Sequence, residues 1–320
     1  MAARLLPCFS SRAMLAREEA VSVLAGLRAG LPNAAIEHVA GVPIEGGTTG
    51  GIAAAVDAAR KAEHVILCIG EAAPMSGEAA SRARLELPGR QRELAEAVLA
   101  TGKPVVVLLF SGRPIALPEV FAKAAAVVAC WFPGTEAGHA VSDLLRGRIN
   151  PSAGLSITWP RHVGQVPMAF SVRSGGRPEN PSDKYTSKYI DLPNTPEFAF
   201  GHGLSYTTFK LTDPTVAAGD PVVVETVVSN VGDRAGATRV FLFIRDVVAS
   251  VARPVLELKR FERVELEAGE RRTLTFSLDR SDFAFLGLDM KPVIEPGEIE
   301  IHVGFSADRS ALLTTTFHLA

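Results

Sequence analysis

The sequence has few cysteines, almost no net charge and no long apolar run, and each shortage excludes a class of protein. Three cysteines among 320 residues are too few and too irregularly spaced for a disulfide scaffold or a structural zinc site. Lysines and arginines number 33 against 35 aspartates and glutamates, so we expect no nucleic-acid partner. No stretch approaches the roughly 18 apolar residues of a membrane-spanning helix, so no membrane partner is expected.

The chain also lacks the signatures of common cofactor and nucleophile sites. The glycine-rich residues 45–51 are not followed by the Gly-Lys-Ser/Thr of a phosphate-binding loop. Ser205 stands in the wrong spacing for a nucleophile elbow, and the seven histidines show no metal-ligand spacing. We therefore predict no cofactor and no metal, and we interpret Cys68 and Cys130 as buried apolar residues.

The amino terminus predicts little ordered structure. We predict that residues 1–16 form a loose leader segment. They contain no apolar core long enough for a secretory signal peptide. As the sequence stands, this favours a cytoplasmic location, unless the true start lies upstream.

From residue 17 to residue 160 the pattern alternates between helix and strand. Continuous apolar runs at 65–69, 105–110 and 124–130 are typical of parallel strands covered on both faces. Further strands are predicted at 36–42 and 155–159. Helices are predicted at 21–30, 52–62, 88–100 and 136–146, the second of them capped by Thr48 or Thr49. Repeated βα units imply an α/β domain with a mostly parallel sheet and helices on both faces.

The rest of the chain changes character twice. Residues 161–210 are irregular and aromatic, which predicts an ordered loop or linker that packs against the first domain. From residue 211 to residue 320 the apolar period becomes two, and turn sequences separate the strands. This pattern predicts an all-β sandwich of immunoglobulin-like type.

Three predicted strand ends bring polar residues to one edge of the parallel sheet. The loops that follow them carry a mixture of carboxylates, an arginine and an aromatic ring: Glu71, Glu78, Arg113, Trp131 and Glu136. Ligands of open parallel sheets bind beyond this edge, and such a mixture suits a polyhydroxylated molecule. Taken singly, each glutamate also fits a solvated surface charge, Arg113 an ordered turn, and Trp131 a core position.

Several motifs together resemble the C-terminal part of glycoside hydrolase family 3, the β-glucosidase and β-xylosidase family. They are Gly70-Glu71-Ala72 through Glu78-Ala79-Ala80-Ser81-Arg82, Leu87-Pro88-Gly89-Arg90-Gln91, Ser111-Gly112-Arg113-Pro114, Trp131-Phe132-Pro133-Gly134-Thr135-Glu136, and Phe200-Gly201-His202-Gly203-Leu204-Ser205-Tyr206. The resemblance covers roughly residues 17–320. It implies an α/β sandwich domain followed by a fibronectin type III-like domain.

The resemblance also implies a reaction. In that family, retaining hydrolysis of terminal β-glycosidic bonds uses an aspartate nucleophile from an N-terminal (β/α)8 barrel and a glutamate acid/base from the α/β domain. The glutamate at the matching position is Glu78. The expected substrate is a β-linked oligosaccharide or glucoside, and the family pattern would favour the periplasm. Glu71, Arg113, Trp131 and Glu136 are the candidate substrate-binding residues.

The sequence departs from the family in having no barrel and in beginning inside the α/β domain. The nucleophile is therefore expected from a separate or upstream barrel domain. Glu71 and Glu136 are poor substitutes, because they share an edge with Glu78 and a retaining pair must oppose across the bond. Two hypotheses remain: the acid/base half of a retaining β-glycosidase, or a non-catalytic truncated module that acts in sugar binding or assembly.

Overall fold

A computed structural model describes residues 20–320 of the chain. They fall into two compact units. The first contains the described residues up to Ile149 together with Pro160–Gly164, and the second contains Asn150–Trp159 and Gln165–Ala320. The sequence-based boundaries at residues 16, 160 and 210 stay predictions.

The first unit is an α/β domain built on a three-stranded sheet. Its strands are β1 (Val65–Gly70), β2 (Val105–Phe110) and β3 (Ala126–Ala129), and its helices are α1 (Val23–Gly30), α2 (Ile52–Lys61), α3 (Gln91–Leu99), α4 (Pro118–Phe121) and α5 (Ala137–Leu145). The strands are parallel in the order β1-β2-β3. The predicted α/β class with a parallel sheet is thereby confirmed.

Two predicted strands are wrong. Residues 36–42 join no ladder within the described chain, and three of the seven are exposed. Apolar residues in the segment favour a strand locally, but strand identity also needs a neighbour to accept its hydrogen bonds. Residues 155–159 likewise form no strand, apart from a single bridge between Trp159 and Phe198.

The predicted threonine cap of α2 is also wrong. The N-cap residue is Gly51, and no side chain caps this helix. The reason is steric, since a Cβ atom on Gly51 would lie 1.7 Å from the main-chain oxygen of Gly41. Close approach of two backbone segments therefore decides which residue stands at the start of α2.

The second unit is an all-β domain, as predicted. Its strands are β4 (Phe209–Leu211), β5 (Thr215–Ala217), β6 (Val222–Asn230), β7 (Gly236–Asp246), β8 (Glu257–Leu266), β9 (Arg271–Leu278), β10 (Phe285–Leu286), β11 (Pro292–Val293), β12 (Gly297–Gly304) and β13 (Leu313–Leu319). One antiparallel sheet has the order β13-β12-β7-β8, and in the other β6 pairs with β4, β5 and β9. Inward side chains such as Val224, Leu242 and Ile301 form one core between the sheets, each fully buried.

The aromatic segment after residue 160 belongs to this second unit. Phe170 and Phe200 pack with ring centroids 4.7 Å apart, and they contact Phe241 and Phe243 of β7. The expectation that this segment packs against the first domain stays a prediction, and the contacts described for its rings are those with β7. Its aromatic rings cover the outer face of β7, where the strand carries phenylalanines at alternate positions.

The outward face of β1 is less covered than its sequence predicts. Cys68 is exposed and Cys130 is partly exposed, so the expectation of two buried cysteines is wrong for Cys68. Ile66, on the same face as Cys68, is 37% exposed.

Among residues 20–320, none of the helices combines the length and the apolar character that crossing a bilayer requires.

Candidate functional site

The loops after β1, β2 and β3 meet at one edge of the sheet, because the three strands are parallel and in register. Gly112, in the loop after β2, marks where they converge. A Cβ atom there would lie 2.6 Å from Oγ of Ser76 and 2.8 Å from the ring of Phe132. Glycine at this position thus lets the three loops approach one another.

Glu71 lies at the centre of this convergence, directly after β1. Its side chain is 0% exposed. Arg82 donates a hydrogen bond to Oε1. Oε2 accepts from Ser76 Oγ at 2.9 Å, Ser111 Oγ at 2.9 Å and Arg113 Nε at 3.2 Å. Both oxygens of this carboxylate accept hydrogen bonds, and none of its surface is exposed. The carboxylate therefore has no accessible acceptor site left for a sugar hydroxyl.

Burial and hydrogen bonding act in opposite directions on the ionisation of Glu71. Burial alone would raise the pKa of its carboxyl group. Hydrogen bonds from Arg82, Ser111 and Ser76, with the charge of Arg113, outweigh the burial and lower the pKa below its ordinary value. Glu71 is therefore held as a carboxylate, which suits an anionic anchor and does not suit a proton donor.

Arg113 extends the same network into the loop after β1. Its Nη2 atom donates to the main-chain oxygen of Met75, to Ala80 O at 3.0 Å and to Ser76 Oγ at 3.2 Å. One guanidinium therefore holds both limbs of the loop. Only residues 77–79 lie between these attachment points.

Glu78 stands at the tip of this loop. It is exposed, and in the described part of the chain no hydrogen bond or ion pair engages its carboxylate. The backbone turns sharply on either side, with φ of +122° at Gly77 and +57° at Ala79. A positive φ at a non-glycine residue is uncommon, and such geometry concentrates at functional loops.

The other predicted site residues occupy the third loop. Trp131 follows β3 with φ +51° and is partly buried. Glu136 is the N-cap residue of α5, and its side chain is 69% exposed. His139 Nδ1 lies 2.7 Å from Oε2 of Glu136, which is a local pairing within one helical turn.

Gln91 is a residue of this region to which the sequence analysis gave no role. Its side chain spans the end of β1: Oε1 accepts from Gly70 N at 2.8 Å, and Nε2 donates to Gly70 O at 2.7 Å. Nε2 also lies 3.1 Å from Pro88 O. The available signal was a glutamine in the first turn of a helix, just after Pro-Gly, where a polar side chain can reach back to the preceding strand.

A shallow cavity of about 470 Å³ lies beside the loop after β1. Its lining includes Glu45, Met75, Ala80 and Arg82, and Glu78 is not among the lining residues. Across the described residues, no group of three histidine, cysteine, aspartate or glutamate side chains is arranged to hold a metal ion. The edge therefore presents an exposed carboxylate on an anchored loop beside a cavity lined by both polar and apolar residues.

Comparison with known families gives two matches. The model of the glycosyl hydrolase family 3 C-terminal domain matches residues 6–206, and the model of a fibronectin type III-like domain matches residues 239–307. The first match covers more than half of the chain.

Individual relatives that are similar to this chain are beta-glucosidases and a beta-xylosidase. A periplasmic beta-glucosidase of Salmonella typhimurium is 43% identical over 262 residues, which are 80% of this chain and 34% of that protein. A beta-xylosidase of Formosa agariphila is 36% identical over 307 residues, 92% of this chain and 41% of that protein. The crystal structure of a beta-glucosidase variant from Listeria innocua in complex with laminaribiose superposes with a TM-score of 0.89 at 35% identity, covering 95% of this chain and 42% of that one. The chain therefore spans about two fifths or less of the length of these three relatives.

Proposed function

The chain belongs to glycosyl hydrolase family 3, and from this we propose that it supplies the acid/base half of a retaining β-glycosidase site, with Glu78 as the acid/base. The proposed substrate is a β-linked oligosaccharide or glucoside, because two of the relatives above are named beta-glucosidases and the third a beta-xylosidase. The name of the Salmonella relative favours the periplasm as the place of action.

One observation carries the proposal: among the described residues no hydrogen bond or ion pair engages the exposed carboxylate of Glu78, whereas Ser76 and Arg82 of the same loop bind Glu71. Glu71, on the same loop, is buried and saturated with donors. Glu78 also occupies the motif position that the family resemblance assigns to the acid/base. A general acid must be free to reach the leaving-group oxygen, and Glu78 satisfies this requirement.

The proposed chemistry needs a second carboxylate from another polypeptide region. In a retaining enzyme that group attacks the anomeric carbon, while the acid protonates the departing oxygen and later deprotonates water. The two carboxyl groups stand about 5–5.5 Å apart on opposite sides of the bond. Glu136 lies on the same edge as Glu78, so we propose that the nucleophile comes from a barrel domain, separate or upstream.

The experiment that tests the proposal is a fusion enzyme. The matched portion of the Listeria innocua beta-glucosidase is replaced by this chain, and hydrolysis of two aryl β-glucosides is measured, one with a poor and one with an activated leaving group. In the fusion, Glu78→Gln should lower kcat/KM for the poor leaving group by about 10²–10⁴ and affect the activated substrate much less. The chain by itself should show no turnover.

One control and two contradicting results define the outcome. Glu136→Gln in the same fusion should leave the leaving-group dependence unchanged. Unchanged rates for Glu78→Gln with the poor leaving group would refute the acid/base assignment. Turnover by the isolated chain that Glu78→Gln abolishes would show a complete site within these 320 residues.

A further inference from the structure

Hydrogen bonds and ion pairs between side chains anchor the exposed loop that carries Glu78. Five side chains from two loops form one connected group, here called the Glu71 cluster: Glu71, Ser76, Arg82, Ser111 and Arg113. Arg82 and Arg113 are only 22% and 19% exposed, so the cluster lies beneath the loop. A buried carboxylate matched by two guanidinium groups keeps a fixed geometry, because each lost contact leaves a charge desolvated and unpaired.

The connections of the cluster define what it fixes. Glu71 is the first residue of the loop and Arg82 stands at its far end, so their ion pair closes the loop across eleven positions. Arg113, from the loop after β2, ties Met75 on one limb and Ala80 on the other. The free part of the loop is the three-residue tip with Glu78 at its centre.

We propose that Glu71 is a positioning residue, which acts on the reaction only by fixing, through Arg82 and Arg113, the place of the Glu78 carboxylate; this role rests on the function proposed above. Glu71 and Arg113 then have no contact with the sugar, although the sequence analysis predicted them to bind it. A displacement of about 1 Å of a reacting group costs up to about a hundredfold in rate, so a rigid base beneath an exposed acid has a direct catalytic value.

The first test measures the loop in the chain itself and does not depend on activity. In Glu71→Gln, amide hydrogen exchange in residues 72–82 should accelerate about tenfold or more by local opening, while β2 still exchanges only through unfolding of its whole domain and exchange in the second unit stays the same. Glu257→Gln is the matched control, because it breaks a similarly buried pair with Arg253 in the all-β unit. Unchanged exchange in residues 72–82 of Glu71→Gln would overturn the proposal.

A second variant covers the case in which Glu71→Gln does not fold. Arg113→Lys keeps a positive charge beside Glu71, but its single nitrogen cannot replace both Nε on Glu71 and Nη2 on Met75 and Ala80. It should accelerate exchange at the loop while the thermal unfolding midpoint changes little. Loop exchange equal to that of the parent chain in Arg113→Lys would also overturn the proposal.

The kinetic test separates positioning from general destabilisation. In the fusion enzyme, Glu71→Gln should lower kcat/KM for the poor leaving group by about 10- to 100-fold with a smaller change for the activated one. In the Glu78→Gln background the same change should have almost no further effect, because Glu71 acts through Glu78. A full additional loss in that background would show that Glu71 acts elsewhere. If Glu78→Gln itself were silent, the proposed function would fail while the exchange result on the loop could still stand.

Discussion

The carboxamide of Gln91 pairs with both main-chain groups of Gly70, accepting from its nitrogen at 2.8 Å and donating to its oxygen at 2.7 Å. Gly70 is the last residue of β1, and its N–H and C=O face away from β2. Gln91 therefore substitutes for a neighbouring strand at this one position and fixes the point from which the loop to Glu78 departs.

Removal of this pairing should destabilise the α/β domain. Gln91→Met keeps the length of the side chain but leaves Gly70 N–H and C=O buried without partners, which costs about 1–3 kcal/mol in the free energy of unfolding. Glu96→Gln on the exposed side of the same helix is the control: it removes only a surface pair with Arg92 and should change the free energy of unfolding by less than about 0.5 kcal/mol. Urea denaturation measures both variants. Equal stabilities of the two variants would contradict the importance of the Gln91 contact.

The remaining outer edge of β1 should promote self-association. Within the described chain β1 pairs only with β2, and Val65 and Glu71 donate in that direction. By alternation, the main-chain groups of Ile66 and Cys68 point outward, beside exposed apolar side chains. An open edge of this kind recruits other strands, and a lysine on it prevents pairing.

Size-exclusion chromatography with light scattering tests this edge. The isolated chain should form species larger than a monomer, and Ile66→Lys should shift the distribution towards monomer. Leu288→Lys is the control, because Leu288 is 87% exposed in a turn that offers no strand edge. A parent chain that remains a single monomeric species at high concentration would contradict the expectation.

The ionisation of Glu71 predicts how stability changes with pH. Its pKa in the folded chain is lowered, so its contribution is fully present above the ordinary carboxyl pKa of about 4.3 and is lost as pH falls through the folded value. At pH 7, Glu71→Gln should lower the free energy of unfolding by about 2–3 kcal/mol. The difference between parent and variant should shrink below about pH 4. A difference that stays constant down to pH 3 would show that the carboxylate is not responsible.

Two glycines in one loop region should respond differently to alanine. Gly51→Ala places a Cβ atom 1.7 Å from Gly41 O, a backbone contact that cannot yield cheaply. The expected loss is about 1–3 kcal/mol in the free energy of unfolding. A Cβ atom on Gly47 would meet no heavy atom within 4 Å, so Gly47→Ala should be close to neutral. Similar thermal midpoints for the two variants would contradict the close packing of residues 41 and 51.

The three strands of the α/β sheet could be predicted because their information is local. A buried parallel strand is a short continuous apolar run, as in β2, and such runs are visible without knowledge of neighbours. Residues 36–42 show the limit of this reasoning. They were also predicted to form a strand, but whether a segment becomes a strand depends on a pairing partner elsewhere in the fold.

The candidate site was predicted in part for the same reason. The order of strand ends indicated that the loops of Glu71, Arg113 and Trp131 would share an edge. It did not indicate which side chains turn inward: Glu71 and Glu78 have the same chemistry and lie seven residues apart, yet one is buried and the other exposed. Burial of a charge depends on donors such as Ser111, which only the folded chain supplies.

The central claim, that Glu78 is the acid/base of a two-carboxylate site, is tested most directly by azide rescue in the fusion enzyme. With Glu78→Ala and an activated aryl β-glucoside, the glycosyl-enzyme intermediate should form but break down slowly, because no base activates water. Added azide, which needs no base, should then accelerate turnover and yield β-glucosyl azide. Full activity of Glu78→Ala without azide, or no azide product from a slowed variant, would contradict the claim.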